Sequence, residues 1–237
     1  SQSVSISGLD NWDVSHVTNM SCMFQSAIDG SLIQKATVWS VGDLSNWDVS
    51  NVTTMDFMFA GSGYAASEWS VGDLSNWNVS KVSDMEAMFS YAGYNASSVS
   101  TGDLSGWDVS KVTTFRRLFH SFGFNSTSYY IGELTNWNVS SATDMYAMFA
   151  DLGRNASSFS VGDLSNWNVS KVTNFDATFY RTGQYATSWS VGNLSGWNVS
   201  NATSLSSMFD RAGESATNVN IGSLSSWSTS KVTDMSY

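Results

Sequence analysis

The sequence predicts an α/β solenoid: a right-handed coil of about eight 30-residue strand–helix units, with a parallel β-sheet on one side and short helices on the other. Three observations lead to this fold class: a tandem repeat throughout the 237 residues, a hydrophobic period that changes within each unit, and a glycine at a fixed position of six units. Tryptophans mark the repeat, 35 residues apart once and then 30 residues apart six times. They are Trp12, Trp47, Trp77, Trp107, Trp137, Trp167, Trp197 and Trp227.

The repeat predicts one domain with a shared core. A single unit is too small to bury its own apolar side chains, so neighbouring units are expected to cover one another. No proline, charged tail or low-complexity linker interrupts the pattern, and residues 1–237 are therefore predicted to form a single repeat domain. The five extra residues of the first interval fall in QSAIDGSLIQKATV, which we expect to be a longer loop. The predicted core consists of Trp47, Trp77, Trp107, Trp137, Trp167, Trp197, Phe59, Phe89, Phe119, Phe149, Phe179 and Phe209.

The hydrophobic period changes within each unit. Trp47 and Val49 alternate with polar residues, which is typical of a strand with one buried face. From Val52 to Phe59 the apolar residues recur every three or four positions, which is typical of a short helix. From Trp69 the alternation returns and predicts a second, shorter extended segment. Because packed helices need more width than paired strands, we expect the coil to curve toward the strands.

A glycine sixteen residues after the tryptophan is expected to end each helix. Glycine adopts the left-handed conformation of a helix C-cap without steric cost. These glycines are Gly63, Gly93, Gly123, Gly153, Gly183 and Gly213.

The run LSNWDVSNVTTMDFMF, residues 44–59, contains spacings found in known repeat proteins. The spacing Leu44-x-x-Trp47-x-Val49 resembles the L-x-x-L-x-L core of leucine-rich repeats. The whole run resembles the BspA-like bacterial surface protein repeat, of which W-D-V-S-N-V-T-x-M followed by M-F is typical. This resemblance implies a leucine-rich-repeat-like coil in an extracellular or cell-surface array that serves adhesion and protein interaction. It implies no catalytic residue.

Composition excludes several partners and fold types. The net charge is −10, from 20 acidic and 10 basic residues, so a nucleic-acid backbone would be repelled. No apolar run approaches the roughly 20 residues of a membrane helix, and no membrane span is predicted in this chain. The single cysteine, Cys22, excludes a framework of disulfides within the chain.

The sequence predicts no enzyme and no cofactor. His16 and His120 lie at non-equivalent positions of distant units, so a Ser–His–Asp constellation is not expected. No glycine-rich phosphate loop or zinc-binding spacing is present.

The polar residues around each tryptophan form a candidate binding face. They repeat with little change, which suits a periodic glycan or a second copy of the chain; alternatively, they only solvate an exposed face and bond their neighbours. Variation is concentrated in the later part of the unit, where a surface that discriminates between proteins is expected. The candidate face consists of Asn46, Asp48, Ser50, Asn76, Asn78, Ser80, Asp108, Ser110, Asn136, Asn138, Ser140, Asn166, Asn168 and Ser170.

A column of acidic residues four positions before the tryptophan has two interpretations. Stacked carboxylates repel one another and attract a cation, so the column is a candidate calcium site. An aspartate next to glycine is equally an ordinary turn residue that bonds its own backbone. The column consists of Asp43, Asp73, Asp103, Glu133 and Asp163.

Three N-x-S/T sequences fall in turns that we expect to be exposed. Asn95, Asn125 and Asn155 each follow a predicted glycine cap and are candidate glycosylation sites if the source is eukaryotic.

Two functions follow from these patterns. The first is a non-enzymatic extracellular or cell-surface repeat protein for adhesion or for protein or glycan interaction; the second is a structural protein that assembles into an extracellular filament or coat. Both ends of the sequence fall within a repeat. We therefore expect either a segment of a longer array or coils that associate head to tail.

Overall fold

The computed structural model describes residues 2–26 and 36–237, which form a parallel-strand solenoid, as predicted. The strands are β1 (Gln2–Ser5), β2 (Ala36–Ser40), β3 (Glu68–Ser70), β4 (Ser98–Ser100), β5 (Ser128–Tyr130), β6 (Ser158–Ser160) and β7 (Ser188–Ser190). They pair in parallel as β1–β2–β3, β4–β5 and β6–β7, with equivalent residues opposite one another. A second ladder of single parallel bridges joins Asn19, Thr54, Asp84, Thr114, Asp144, Asn174, Ser204 and Asp234. Residues 27–35 of the predicted longer loop lie outside the described residues.

The sheet does not form at the tryptophan where the first alternation predicted it. The backbone N–H of Trp47 donates to the Leu44 carbonyl at 3.1 Å, and the same turn recurs in the other repeats. The chain bends here because Asp43 and Asp48 each accept the backbone N–H two residues on, which closes turns in place of a strand. The strands form instead on the segment around Trp69. Five of the turns are 3₁₀ helices: Leu9–Asn11, Leu104–Gly106, Leu134–Asn136, Leu194–Gly196 and Leu224–Ser226.

The predicted short helices are also wrong, since residues 2–26 and 36–237 contain no α-helix. From Met55 onward the backbone forms overlapping turns in which alternate N–H groups have different partners. The N–H of Met58 donates to the Met55 carbonyl three residues back, whereas the N–H of Phe57 donates at 2.7 Å to Glu86 of the next coil. An α-helix would direct every N–H along its own axis. Here alternate N–H groups join one coil to the next.

The spacing between coils explains why helices are excluded. Paired strands lie about 4.8 Å apart, and in the core tryptophan and phenylalanine columns the stacked rings of successive coils have centroids 5.4 to 6.4 Å apart. Two α-helices packed side by side need about 8–10 Å. Helices would therefore break the register of the sheet, whereas overlapping turns fit it. The predicted curvature loses its basis, because it required a wider helical side.

The overlapping turns need left-handed backbone at fixed positions. The glycines expected to be helix caps do have positive φ, 59° at Gly63 and 50° at Gly183. A Cβ on Gly63 would also lie 2.8 Å from the Trp69 ring. Two more left-handed columns carry side chains, at a cost of roughly 1–2 kcal/mol for each residue. The first contains Phe57, Ala87, Arg117, Ala147, Ala177 and Ser207, and the second contains Tyr91, Ser121, Asp151, Arg181 and Arg211.

The core consists of stacked columns of equivalent side chains. The six predicted core tryptophans are at most 4% exposed, and the predicted phenylalanines are fully buried except Phe209, which is half-buried. Each indole N–H of the six core tryptophans has a backbone acceptor: Trp77 donates to the Leu44 carbonyl of the preceding coil at 2.9 Å, and Trp107 donates to Leu74 at 3.0 Å. This repeated bond satisfies the one polar group of the column. Among the described residues, no helix has the length and apolar character required to span a membrane.

The hydrogen bonds from the indole N–H groups to the preceding coil, which we call the indole ladder, lead to a stability prediction. We expect Trp107→Phe to destabilise the protein by about 1–3 kcal/mol, because the indole hydrogen bond to the buried Leu74 carbonyl is lost and the smaller ring leaves part of the stacked column unfilled, although the Trp77 backbone N–H still donates to that carbonyl. Trp12→Phe is the matched control, since Trp12 is 55% exposed, and we expect it to change stability by less than about 0.5 kcal/mol. Urea unfolding measures both, and equal effects would contradict the role of the ladder.

The left-handed positions predict an unusual sign for a glycine substitution. Ala177 has a φ of 55°, so we expect Ala177→Gly to stabilise the protein by a few tenths to about 1 kcal/mol. In an α-helix the same change would destabilise by about 1 kcal/mol. The reverse change, Gly123→Ala, is expected to destabilise, because the new Cβ would lie 2.7 Å from Ser126 Oγ. Thermal unfolding decides the sign, and a loss of stability in Ala177→Gly would contradict the overlapping-turn backbone.

Candidate interaction surface

The polar columns predicted as a binding face lie at the surface, and the aspartate or asparagine that follows each tryptophan is bonded within its own coil. Asp48 Oδ1 accepts the Ser50 backbone N–H at 3.0 Å, and Asn138 Oδ1 accepts that of Ser140 at 3.2 Å. The hydrogen bond from the Ser50 side chain, together with the bond from its backbone N–H, lowers the pKa of Asp48. The uniformity of this column and of the serines that bond to it therefore has a structural cause, because the bonds close turns. Asn46, Asp48, Asn76, Asn78, Asp108, Asn136, Asn138, Asn166 and Asn168 are exposed, and Ser50, Ser80, Ser110, Ser140 and Ser170 are half-buried.

The acidic column proposed for calcium consists of exposed turn residues. Asp43, Asp73, Asp103 and Asp163 each accept the backbone N–H of the serine two residues on, at 2.9 to 3.0 Å, whereas Glu133 makes no such bond. No group of three or more histidine, cysteine or carboxylate side chains suited to a metal ion occurs in the described part of the chain. The calcium interpretation stays a prediction without a coordinating cluster here.

The candidate glycosylation sites lie at the surface, but the side-chain amides of two of them donate hydrogen bonds to a neighbouring coil. Asn95 and Asn125 are exposed, and Asn125 Nδ2 donates to Asn95 Oδ1 at 2.6 Å. Asn155 is half-buried, and its Nδ2 donates to the Phe124 carbonyl at 3.0 Å. A glycan on Asn125 or Asn155 would therefore compete with a hydrogen bond that ties two coils together.

The two histidines have different environments. His16 is exposed, and Ser15 lies between it and an acidic residue: Ser15 Oγ is 3.1 Å from His16 Nδ1 and donates to Asp13 Oδ1 at 2.6 Å. In a catalytic triad the histidine must stand between the serine and the carboxylate, so this order does not activate Ser15. His120 is half-buried, and the Tyr91 ring meets it edge-on with centroids 4.7 Å apart.

All five arginines of the chain fall in the overlapping turns, where the sequence varies from coil to coil. The guanidinium of Arg116 lies 4.1 Å from the Tyr146 ring centroid, and that of Arg181 lies 4.6 Å from the Tyr180 ring. The described lysines lie elsewhere, four residues after a tryptophan. We define the arginine–tyrosine face as Arg116, Arg117, Tyr146, Arg154, Tyr180, Arg181, Tyr185 and Arg211. Sequence reasoning located the variable segment but missed this distribution of arginines, which the sequence does contain.

A neighbouring column changes chemistry along the solenoid. The rings of Tyr64, Tyr94 and Phe124 stack with centroids 4.4 and 4.5 Å apart. The Arg154 guanidinium lies 4.7 Å from the Phe124 ring, and its Nε donates to Gln184 Oε1 at 2.8 Å. Equivalent positions thus pass from aromatic to cationic to neutral polar side chains. The surface differs along its length, as recognition of an irregular partner requires.

A cleft of about 370 Å³ lies within the arginine–tyrosine face. Arg117 and His120 border it on one coil, and Ser207 and Asp210 border it three repeats further on. Between them three of the four positions equivalent to Arg117 and His120 hold alanine, whose small side chains leave space, and the fourth holds Tyr180. The alanines are Ala147, Ala150 and Ala177.

Two side chains that border the cleft have buried polar atoms without partners. Arg117 Nε and His120 Nδ1 are buried and have no hydrogen-bond partner within the described residues. Burial, and secondarily the charge of Arg117, lower the pKa of His120 to about 4. His120 is therefore neutral at pH 7, and Arg117 carries the positive charge of this end of the cleft.

The lowered pKa predicts a pH-dependent stability. An unfolded histidine titrates near 6.5, so between about pH 6.5 and 4 the unfolded chain binds a proton that folded His120 does not bind. Stability is therefore expected to decrease as the pH falls through this window. We expect the melting temperature of His120→Gln to decrease less than that of wild type as the pH falls from about 6.5 to 4. His16→Gln, at an exposed site, is expected to show the same decrease as wild type. Equal profiles for wild type and His120→Gln would contradict this.

Sequence comparisons place the chain in a family. A comparison with curated proteins and one with solved structures find no match. One family matches the chain in four overlapping segments, at residues 2–120, 30–150, 94–220 and 154–237. Since these segments together span the tandem repeat, the chain belongs to the family described as Mycoplasma protein of unknown function, DUF285.

Proposed function

We propose that this chain is a non-enzymatic extracellular repeat scaffold that binds a protein or glycan partner through the arginine–tyrosine face. One observation carries the proposal: an acidic chain places all of its arginines in the overlapping turns, where the side chains change from coil to coil. Arginine and tyrosine are enriched at the centres of protein interfaces, where their side chains combine apolar contact with hydrogen bonding. The partner is expected to present acidic groups to this face.

The other surfaces support a scaffold role. The polar columns close turns, and the tryptophan and phenylalanine columns fill the core, so neither needs a ligand to explain it. The overlapping turns are held by backbone bonds between coils, and their outward side chains are free to differ. A solenoid of eight coils is the finer architecture that we propose for this scaffold. The resemblance of residues 44–59 to the BspA-like surface repeat supports a location outside the cell.

Binding to arrays tests the proposal. We would probe a glycan array and a panel of purified extracellular matrix proteins with wild type and with the double variant Arg154→Gln/Tyr185→Ala. Arg154 lies over the Phe124 and Tyr185 rings, and Tyr185 is 51% exposed, so the variant removes charge and contact area together. We expect at least about a tenfold loss of affinity for each probe that the wild type binds.

The control removes positive charge elsewhere. Lys81→Gln/Lys111→Gln/Lys171→Gln takes three charges from the lysine column, and we expect its binding to stay within about twofold of wild type. Failure of the wild type to bind any probe, or an equal loss in the lysine variant, would contradict the proposed function.

A further inference from the structure

We propose that the cleft between Arg117 and Asp210 is a binding site for a short, carboxylate-bearing saccharide, whose carboxylate pairs with the Arg117 guanidinium. This inference rests on the proposed function and assigns a ligand class to one site within it. The cleft volume of about 370 Å³ falls within the range of small-molecule pockets, at its lower end.

Arg117 is available to pair with an anion, whereas the adjacent Arg116 is already paired with carboxylates of the chain. Arg116 lies 3.4 Å from Glu86 and 3.5 Å from Asp144, so its charge is already compensated. No carboxylate of the described residues lies within 4.0 Å of the Arg117 guanidinium, whose contact is the Tyr146 ring at 5.1 Å. A bidentate carboxylate would neutralise this charge and provide acceptors for the guanidinium.

The rest of the cleft suits the hydroxyl groups of a sugar. Asp210 and Ser207 supply hydrogen-bonding groups three repeats from Arg117. Ala147, Ala150 and Ala177 present methyl groups, and Tyr180 presents a ring, to the C–H groups of a saccharide. A cationic group on one side and hydrogen-bonding groups on the other fit an acid sugar better than a simple anion.

An extended peptide is a poorer fit, because the backbone at the cleft is already paired. The N–H of Ala147 donates to the Asp176 carbonyl, and the N–H of Ala177 donates to Ser206, each at 2.8 Å. The N–H of Ala150 donates to Ala147 within its own turn at 3.2 Å. No free strand edge is therefore present here for a peptide to join. Recognition must use side chains.

Titration calorimetry with defined saccharides tests the assignment. The probes are a glucuronic-acid disaccharide, a sialic-acid trisaccharide, the methyl ester of each, and neutral lactose. We expect at least one acid to bind, and its methyl ester and lactose to bind at least about tenfold more weakly, because each loses the charge-assisted hydrogen bonds to Arg117. The two acids distinguish uronate from sialate as the source of the carboxylate.

A lysine variant outside the arginine–tyrosine face provides the control. Arg117→Gln is expected to weaken binding of the acid about tenfold or more, whereas Lys171→Gln, at an exposed site away from the cleft, stays within about twofold. Circular dichroism and melting temperature establish that both variants are folded. If Arg117→Gln fails to fold, Asp210→Ala takes its place and is expected to weaken the same binding, because it removes both acceptor oxygens of that side chain.

The outcomes separate this inference from the proposed function. The inference is overturned if neither acid binds, if lactose or the methyl esters bind as tightly, or if Arg117→Gln changes nothing. An acidic peptide that competes at the cleft in place of the acid saccharides would overturn the ligand class. If matrix proteins still bind through Arg154 and Tyr185 in any of these cases, the proposed function stands without the saccharide site.

Discussion

Backbone hydrogen bonding from coil to coil at strand spacing is the interaction on which the rest of this structure depends. It acts in the parallel strands, in the second ladder of bridges and in the overlapping turns. Because the spacing is about 4.8 Å, each segment of the coil must adopt a conformation that pairs with its copy at that distance. Strands and turns meet this requirement, and α-helices do not.

The same spacing determines which side chains can repeat. Flat rings stack at 5.4 to 6.4 Å, so tryptophan and phenylalanine columns fill the core without adjusting the backbone. Equivalent carboxylates would repel one another, and in the turns around the tryptophan the aspartates bond their own backbone. Repetition in this chain is therefore mainly a consequence of stacking, and the surface that does not repeat is the better candidate for recognition.

The overlapping turns allow the side chains of that surface to vary without disturbing the fold. The inter-coil bonds that recur from coil to coil join backbone groups, so the outward side chains can change while the register is kept. Arg117 and Arg181 occupy left-handed positions, where the energetic cost of the conformation is offset by these bonds and by packing. The cleft exists because alanines hold three of the four positions equivalent to Arg117 and His120 in the next two coils.

The sequence by itself determined the tandem period, the parallel solenoid, the stacked apolar columns and the left-handed glycines. Each of these follows from a residue type recurring at a fixed interval, such as the tryptophans after Trp47 or the glycines after Gly63. Only the tertiary structure decided that Val52 to Phe59 does not form a helix, because a period of three to four residues fits both a helix and a series of turns. Whether a helix or a series of turns forms depends on the distance between neighbouring coils, which is too short for two packed helices. The cleft likewise depends on side chains that lie 30 to 90 residues apart, such as Arg117 and Asp210, and that only stacking brings to one surface.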